Sequence, residues 1–137
     1  MPGLLVNIDV PDIDQGVIFY TAALGLRVGR RFGKGFIELL GTDAPIYLLQ
    51  NKAGTIIGPA GGGIRRYERH WSPVHLDIVV DDLEAAIKRA VEAGAAQEGE
   101  TREAPYGKLA TFADPFGHGF CLIEFNEQGY DAIKEPA

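Results

Sequence analysis

The sequence predicts an α+β fold: two βαβββ modules whose mixed sheets surround a cup, with the helices on the outer faces. Three observations predict it. The first is an internal repeat, in which "LVNIDVPDIDQGVIFYTAALGL" from Leu5 lies over "HLDIVVDDLEAAIKRAVEAGA" from His75, matching Ile8 with Ile78, Val10 with Val80, Asp12 with Asp82 and Ala23 with Ala93 at one offset. The second is that three short β-type runs follow each copy. The third is a length of 137 residues at 46% hydrophobic and 23% charged, enough for one ordinary domain with a core of its own.

Each copy reads as an apolar strand, an acidic helix start, a helix and a glycine stop. The stop is Gly25 in the first copy and, after a slip of one residue, Gly94 in the second. Asp12 with Gln15 reads as a capping box, and Asp81 with Glu84 offers the same in the second copy. Apolar residues recur at helical spacing, Ile13, Val17 and Tyr20 or Leu24 in the first helix and Leu83, Ile87 and Val91 in the second, so each helix has one face to bury. The strands that follow are "LRVGRRF", "GFIELLG" and "PIYLLQ", then "AAQEGE", "KLATFAD" and "GFCLIEF". The chain is thus a single domain, with module 1 at about 3–50, a linker at about 51–72, module 2 at about 73–126 and a C-terminal tail at 127–137.

The linker is long for a connection in a compact domain. Its "GPAGGGIRRYERHW" lacks the Lys-Ser/Thr that ends a phosphate-cradling loop, and Gly61 to Gly63 read as a flexible hinge. Arg65, Arg66, Tyr67, Arg69, His70 and Trp71 form a basic, aromatic cluster in an acidic chain. It reads first as a solvated loop or subunit contact, with an anion-recognising lid as the alternative.

Composition excludes several function classes. With 13 basic against 19 acidic residues and a net charge of −6, the chain lacks the basic surface that neutralises a nucleic-acid backbone. No apolar run approaches the roughly 20 residues that span a bilayer. The one cysteine, Cys121, forms no internal disulfide, and "MPGLLVNIDV" has no secretory pattern, so a cytoplasmic location is expected. The acidity suits a neutral or cationic small-molecule partner.

The paired units, the "VPDIDQGVIFYTAALGL" and "HLDIVVDDLEAAIKRAVEAGA" segments and the closing "DPFGHGF" together resemble the vicinal oxygen chelate superfamily, over about Leu4 to Phe125. That group includes glyoxalase I, fosfomycin and bleomycin resistance proteins, extradiol dioxygenases and methylmalonyl-CoA epimerase. The resemblance implies divalent-metal ligands at four positions, on the first and last strand of each unit. Carried over by motif, those positions hold Leu5, Tyr47, His75 and Cys121. One His, no carboxylate and a Leu do not make an octahedral site for a hard ion, so no metal and no other cofactor is expected. Glu124, three residues beyond Cys121, falls on the opposite face of its strand. Asp114-Pro115-Phe116-Gly117 has the pattern of a tight turn, which makes Asp114 and His118 structural. Cys121 reads as a buried filler, with a nucleophile activated by His75 as the alternative.

The function this implies is that of a small-molecule-binding member of the superfamily without the usual metal centre, a homodimer whose aromatic-lined groove holds the ligand. The expected ligand-binding residues are His75, Tyr47, Cys121, Leu5, Trp71 and Tyr106, with Tyr67 and Phe112 as further candidate walls. The rival is a metal-dependent lyase, isomerase or dioxygenase with His75 as a ligand. A third reading is a metal-free enzyme with His75 as general base. Sequence leaves open whether the chain is a catalyst or a sequestering protein.

Overall fold

The repeat folds as two separate sheets, each carrying one helix. The computed structural model describes residues 1–136, so that Ala137, the end of the expected tail, lies outside the described residues. Two units divide the chain, Met1–Glu68 and Arg69–Ala137. The first runs β1 (Val6–Val10), α1 (Ile13–Leu24), β2 (Arg27–Arg31), β3 (Phe36–Leu40) and β4 (Ile46–Gln50). The second runs β5 (Leu76–Val79), α2 (Leu83–Glu92), β6 (Ala96–Ala104), β7 (Gly107–Ala113) and β8 (Gly119–Phe125), followed by a 3-10 turn at Gly129–Ile133. The strand orders are β1-β4-β3-β2 and β5-β8-β7-β6, and neither sheet closes into a barrel. This is the α+β architecture of two βαβββ modules that the repeat predicts.

In both units the first strand pairs parallel with the last, and the remaining pairs are antiparallel. A parallel pair needs a crossover, and the helix supplies it. Alternation then decides the faces. Val10 and Leu48, both fully buried, lie under α1, close enough that a Cβ on Gly16 would sit 3.1–3.2 Å from their methyl groups. Glu38 and Tyr47, paired across β3 and β4, take the opposite face. In the second sheet Leu122 and Ile78 pair on one face, and Asp77, Cys121 and Thr111 line up on the other.

The helix starts are built twice over. Asp12 Oδ1 accepts from Gln15 N at 3.1 Å, while Gln50 Oε1, from the last strand of the unit, accepts from Ile13 N at 2.9 Å. In the second unit Asp82 Oδ1 accepts from Ala85 N at 3.2 Å and Glu124 Oε1 accepts from Leu83 N at 2.8 Å. The cap is therefore Asp82, not the Asp81 expected above, because α2 begins at Leu83 and Asp82 takes the extended conformation just before it. Glu124 does face away from Cys121, as alternation requires, and its oxygen closes the first turn of α2. At the other end Gly25 takes the left-handed conformation at φ 67°, so the predicted glycine stop is real. The buried stripe of α2 is Leu83, Ala86 and Ala90, and the expected Val91 is 47% exposed. Leu83 is buried as expected, and beyond it small alanines take the buried positions.

The linker is tied down rather than loose. Ile56 bridges Ile64, Ile57 N donates to Gly63 O at 3.0 Å, and Gly58, Gly61, Gly62 and Gly63 all have positive φ, which makes the expected hinge a closed turn. Arg65 reaches Asp9 at 2.8 Å, and Tyr67 Oη donates to the carbonyl of Asn51. Arg69 pairs with Glu98 and lies 4.9 Å over the Trp71 ring. Arg65 and Arg69 are thus each paired with a carboxylate of their own unit. No helix among the described residues is long and apolar enough to cross a membrane.

The shared oxygen at both helix starts makes a specific prediction. Glu124→Gln should leave stability nearly unchanged, since an amide oxygen accepts the same bond at Gln50, whereas Glu124→Leu should cost about 1 kcal/mol, the typical value of a lost helix cap. Urea midpoints of the two variants check this; equal loss in both would mean that the charge, not the hydrogen bond, matters.

Candidate functional site

In the second unit the pairing of β5 with β8 sets Asp77 directly beside Cys121, and Thr111 of β7 lies on the other side of the cysteine. His75, one residue before β5, shares the face of Asp77 by alternation. Its Nε2 lies 3.3 Å from Asp77 Oδ1, and the donor atoms of His75, Asp77 and Cys121 all fall within 4.8 Å of one another. Asp77 is the residue that motif matching passes over. The alternation His75, Asp77, Val79 already placed it on the site face, but the family positions assign it no role.

Cys121 is 5% exposed. Burial pushes its thiol pKa up; the hydrogen bond between Thr111 Oγ1 and its sulfur, at 3.6 Å, opposes this, and the negative charge of Asp77 and its hydrogen bond push further up. An upward shift favours the neutral thiol, the less nucleophilic form. Trp71 is the aromatic wall of this cluster, edge-on to His75 with ring centroids 5.1 Å apart. It lies flat on the backbone of Gly119, where a Cβ would come within 2.8 Å of the ring, so only glycine admits the indole there.

The other expected residues are dispersed. Tyr106 sits in the turn between β6 and β7 and packs with Phe125 and Tyr130. Phe112 is fully buried and stacks on Phe120, which makes it core. His70 bridges His118, and Asp114 Oδ1 accepts from Phe116 N at 2.8 Å and His118 N at 2.9 Å, so that turn is structural as expected.

In the first unit Leu5 precedes β1 and is 61% exposed. Tyr47 occupies the place on β4 that Cys121 occupies on β8, beside Asn7 as Cys121 is beside Asp77. Its hydroxyl donates to Glu38 Oε2 at 3.0 Å and accepts from Arg30 Nη2 at 3.3 Å. Glu38, one of two buried charged residues among the described residues, takes a two-point bond from Arg30, Nη2 to Oε2 at 2.7 Å and Nε to Oε1 at 3.1 Å, and a third from the Arg30 amide at 3.1 Å. These bonds from Arg30 hold the Glu38 carboxyl at about 2, down from 4.5, and raise the Arg30 pKa. A charged residue in the middle of the apolar run "FIELL" was the available signal for this cluster, and the sequence reading did not use it.

Two mixed four-stranded sheets in a repeated βαβββ plan, with candidate side chains on the face away from each helix, define a vicinal oxygen chelate protein. The glyoxalase-like domain profile matches residues 5–123, and the chain belongs to that family. Among curated relatives it is 32% identical over 134 residues to the anthracycline biosynthesis protein DauV of Streptomyces sp. strain C5, covering 96% of this chain and 44% of that one. It is 34% identical over 121 residues to the anthracycline biosynthesis protein DnrV of Streptomyces peucetius, covering 87% and 39%. The chain thus spans less than half the length of these relatives. Among solved structures, the fosfomycin resistance protein FosX of Listeria monocytogenes, in complex with Mn(II) and 1S,2S-dihydroxypropylphosphonic acid, superposes with a TM-score of 0.70 at 15% identity over 93% of this chain and 94% of that one. TioX from Micromonospora sp. ML1 gives 0.69 at 17% over 92% and 100%. At these identities the likeness is one of fold.

Of the four positions at which the superfamily implies ligands, Leu5 has no donor atom and the Tyr47 hydroxyl is engaged by Glu38 and Arg30, while His75 and Cys121, with Asp77, keep donor atoms within 4.8 Å of one another.

Two outcomes follow from the shifted groups. A carboxyl lowered in the folded state contributes stability above its unfolded pKa and loses it as pH falls. The stability contributed by Glu38 should therefore be present above 4.5 and lost as the pH falls through about 2. The difference in urea midpoint between wild type and Glu38→Gln, followed across that window, should shrink as the solution is acidified; a constant difference would refute the pairing. Cys121 should react slowly with a disulfide reagent at mildly alkaline pH in the folded chain and fast in denaturant, and equal rates in the two would refute a buried thiol.

Proposed function

We propose that this chain binds a small organic molecule and does so without the metal centre of its superfamily. The observation that carries this is the state of the Tyr47 hydroxyl, which is bound to Glu38 and Arg30 where the family plan calls for a metal ligand. The names of the curated relatives, which tie them to anthracycline biosynthesis, and the ligand in the FosX complex are consistent with a small organic molecule as the partner. His75 is the residue expected to hold the ligand. It is half exposed, its Nε2 is oriented by Asp77, and Trp71 stands against its ring. Cys121 lies on the same face of the sheet and is expected to make no polar contact with the ligand. A homodimer belongs to this reading, since sheets with unpaired edges are commonly covered by a second copy.

One observation favours the rival reading of a metal-dependent lyase, isomerase or dioxygenase. His75, Asp77 and Cys121 offer three donors within 4.8 Å, and a softer ion than manganese would accept such a set once the thiol is ionised.

Elemental analysis of protein purified without chelator separates the two. The proposed reading expects less than stoichiometric Mn, Fe, Co, Ni and Zn; a full equivalent that disappears in His75→Ala would overturn it. The single tryptophan reports ligand at His75 by fluorescence, so a small-molecule screen needs no label. For a ligand found this way, His75→Leu should weaken binding by about 1–3 kcal/mol, the cost of an unmade buried polar contact. Cys121→Ala should change it little. The opposite pattern would move the binding role to the sulfur.

A further inference from the structure

The Arg30 and Glu38 cluster has no part in the reading above beyond occupying Tyr47. An ion pair between an exposed arginine and a buried carboxylate is a weak device for stability, because water screens the attraction while the carboxylate still loses its hydration. Glu38 nevertheless sits 5% exposed between Ile37 and Leu39, in a strand that is otherwise apolar. Two further features serve it. Gly29 leaves room for the carboxylate, since a Cβ there would lie 2.6 Å from Glu38 Oε1. The register of β2 on β3 slips between Val28 and Arg31, a bulge that frees Arg30 from the regular ladder. The result is a guanidinium locked in one plane along its Nε–Nη2 edge. Its Nη1 edge makes no bond among the described residues, and its side chain is 67% exposed.

The locked guanidinium lies beside an aromatic surface. Arg30 stands 5.2 Å over the Phe32 ring. Phe32, Phe36 and Tyr47 follow one another at 4.8 and 5.5 Å between centroids, with tilts of 35° at each step. Phe32 is 40% exposed.

We propose that Arg30, Phe32 and Phe36 form a recognition subsite for a planar aromatic molecule carrying an anionic oxygen, with the ring on the phenylalanines and the oxygen on the Nη1 edge of Arg30. This deepens the small-molecule reading and rests on it. It also reverses the sign that composition suggests: a chain of net charge −6 favours cations at long range, but the group offered to a ligand at this surface is a cation whose geometry is fixed. A guanidinium of fixed geometry loses little freedom when it takes a further hydrogen bond.

Three naphthalenes of equal size test this, read by naphthalene fluorescence anisotropy and calorimetry: 2-naphthoate, neutral 2-naphthamide and cationic 2-naphthylmethylammonium. Wild type should bind naphthoate at least tenfold more tightly than naphthamide, and the ammonium more weakly than either. The double variant Arg30→Met with Glu38→Leu removes both charges together, so that the carboxylate is not left buried alone; it should still bind naphthamide and lose the preference for naphthoate. Arg30→Lys keeps the ion pair and the fold but not the planar Nη1 edge, and should reduce the preference to a few-fold at most. A preference that survives the double variant, or wild type that favours the amide or the ammonium, overturns the subsite while leaving small-molecule binding intact. Failure of all three to bind at millimolar concentration overturns the subsite, whereas small-molecule binding itself falls only if the screen read by tryptophan fluorescence finds no ligand.

Discussion

Both units depend on one parallel pairing, that of the first strand with the last. Because β1 runs beside β4 in the same direction, the chain must cross from the end of one to the start of the rest of the sheet, and α1 is that crossing. The same pairing places Asn7 beside Tyr47 and, in the second unit, Asp77 beside Cys121. It also brings the far ends of β4 and β8 to the helix starts, where Gln50 and Glu124 each lend an oxygen. Core, helix cap and candidate site are three results of one register.

On that common frame the two sheets have diverged chemically. The cross-strand pair Glu38 with Tyr47 has its counterpart in Thr111 with Cys121. The first pair is charged, aromatic and bound to a neighbouring arginine. The second is small, neutral and flanked by a carboxylate that helps keep the thiol protonated. Equal places in the ladder therefore carry unlike electrostatics, and the family's ligand positions predict location far better than they predict chemistry.

The elements were legible because their signals are local. Alternation, helical spacing and glycine punctuation recur in both copies, and the fold follows from the repeat. Errors arose where a one-residue choice had no local signal. Asp81 and Asp82 are equally good caps until the helix start is known, and of the large residues from which the stripe of α2 was read Leu83 is buried, joined by Ala86 and Ala90 rather than by Val91. The candidate site was half legible. His75 and Cys121 came from motif spacing, and Asp77 was visible by alternation but unassigned. The Arg30–Glu38–Tyr47 cluster joins three strands across a bulge, and the pairing that brings them together cannot be read from any one segment.

The borrowed oxygens at the helix starts bear on how the chain emerges from the ribosome. Ile13 and Leu83 begin their helices, yet the groups that complete their first turns lie 37 and 41 residues later. While a unit is being synthesised its helix can form but cannot be finished, and the parallel edge that anchors it does not yet exist. Each unit is thus committed only when its last strand has left the exit tunnel. That makes the delay between helix and final strand, about 2–8 s at ordinary elongation rates of 5–20 residues per second, the interval in which a nascent unit exposes its apolar face.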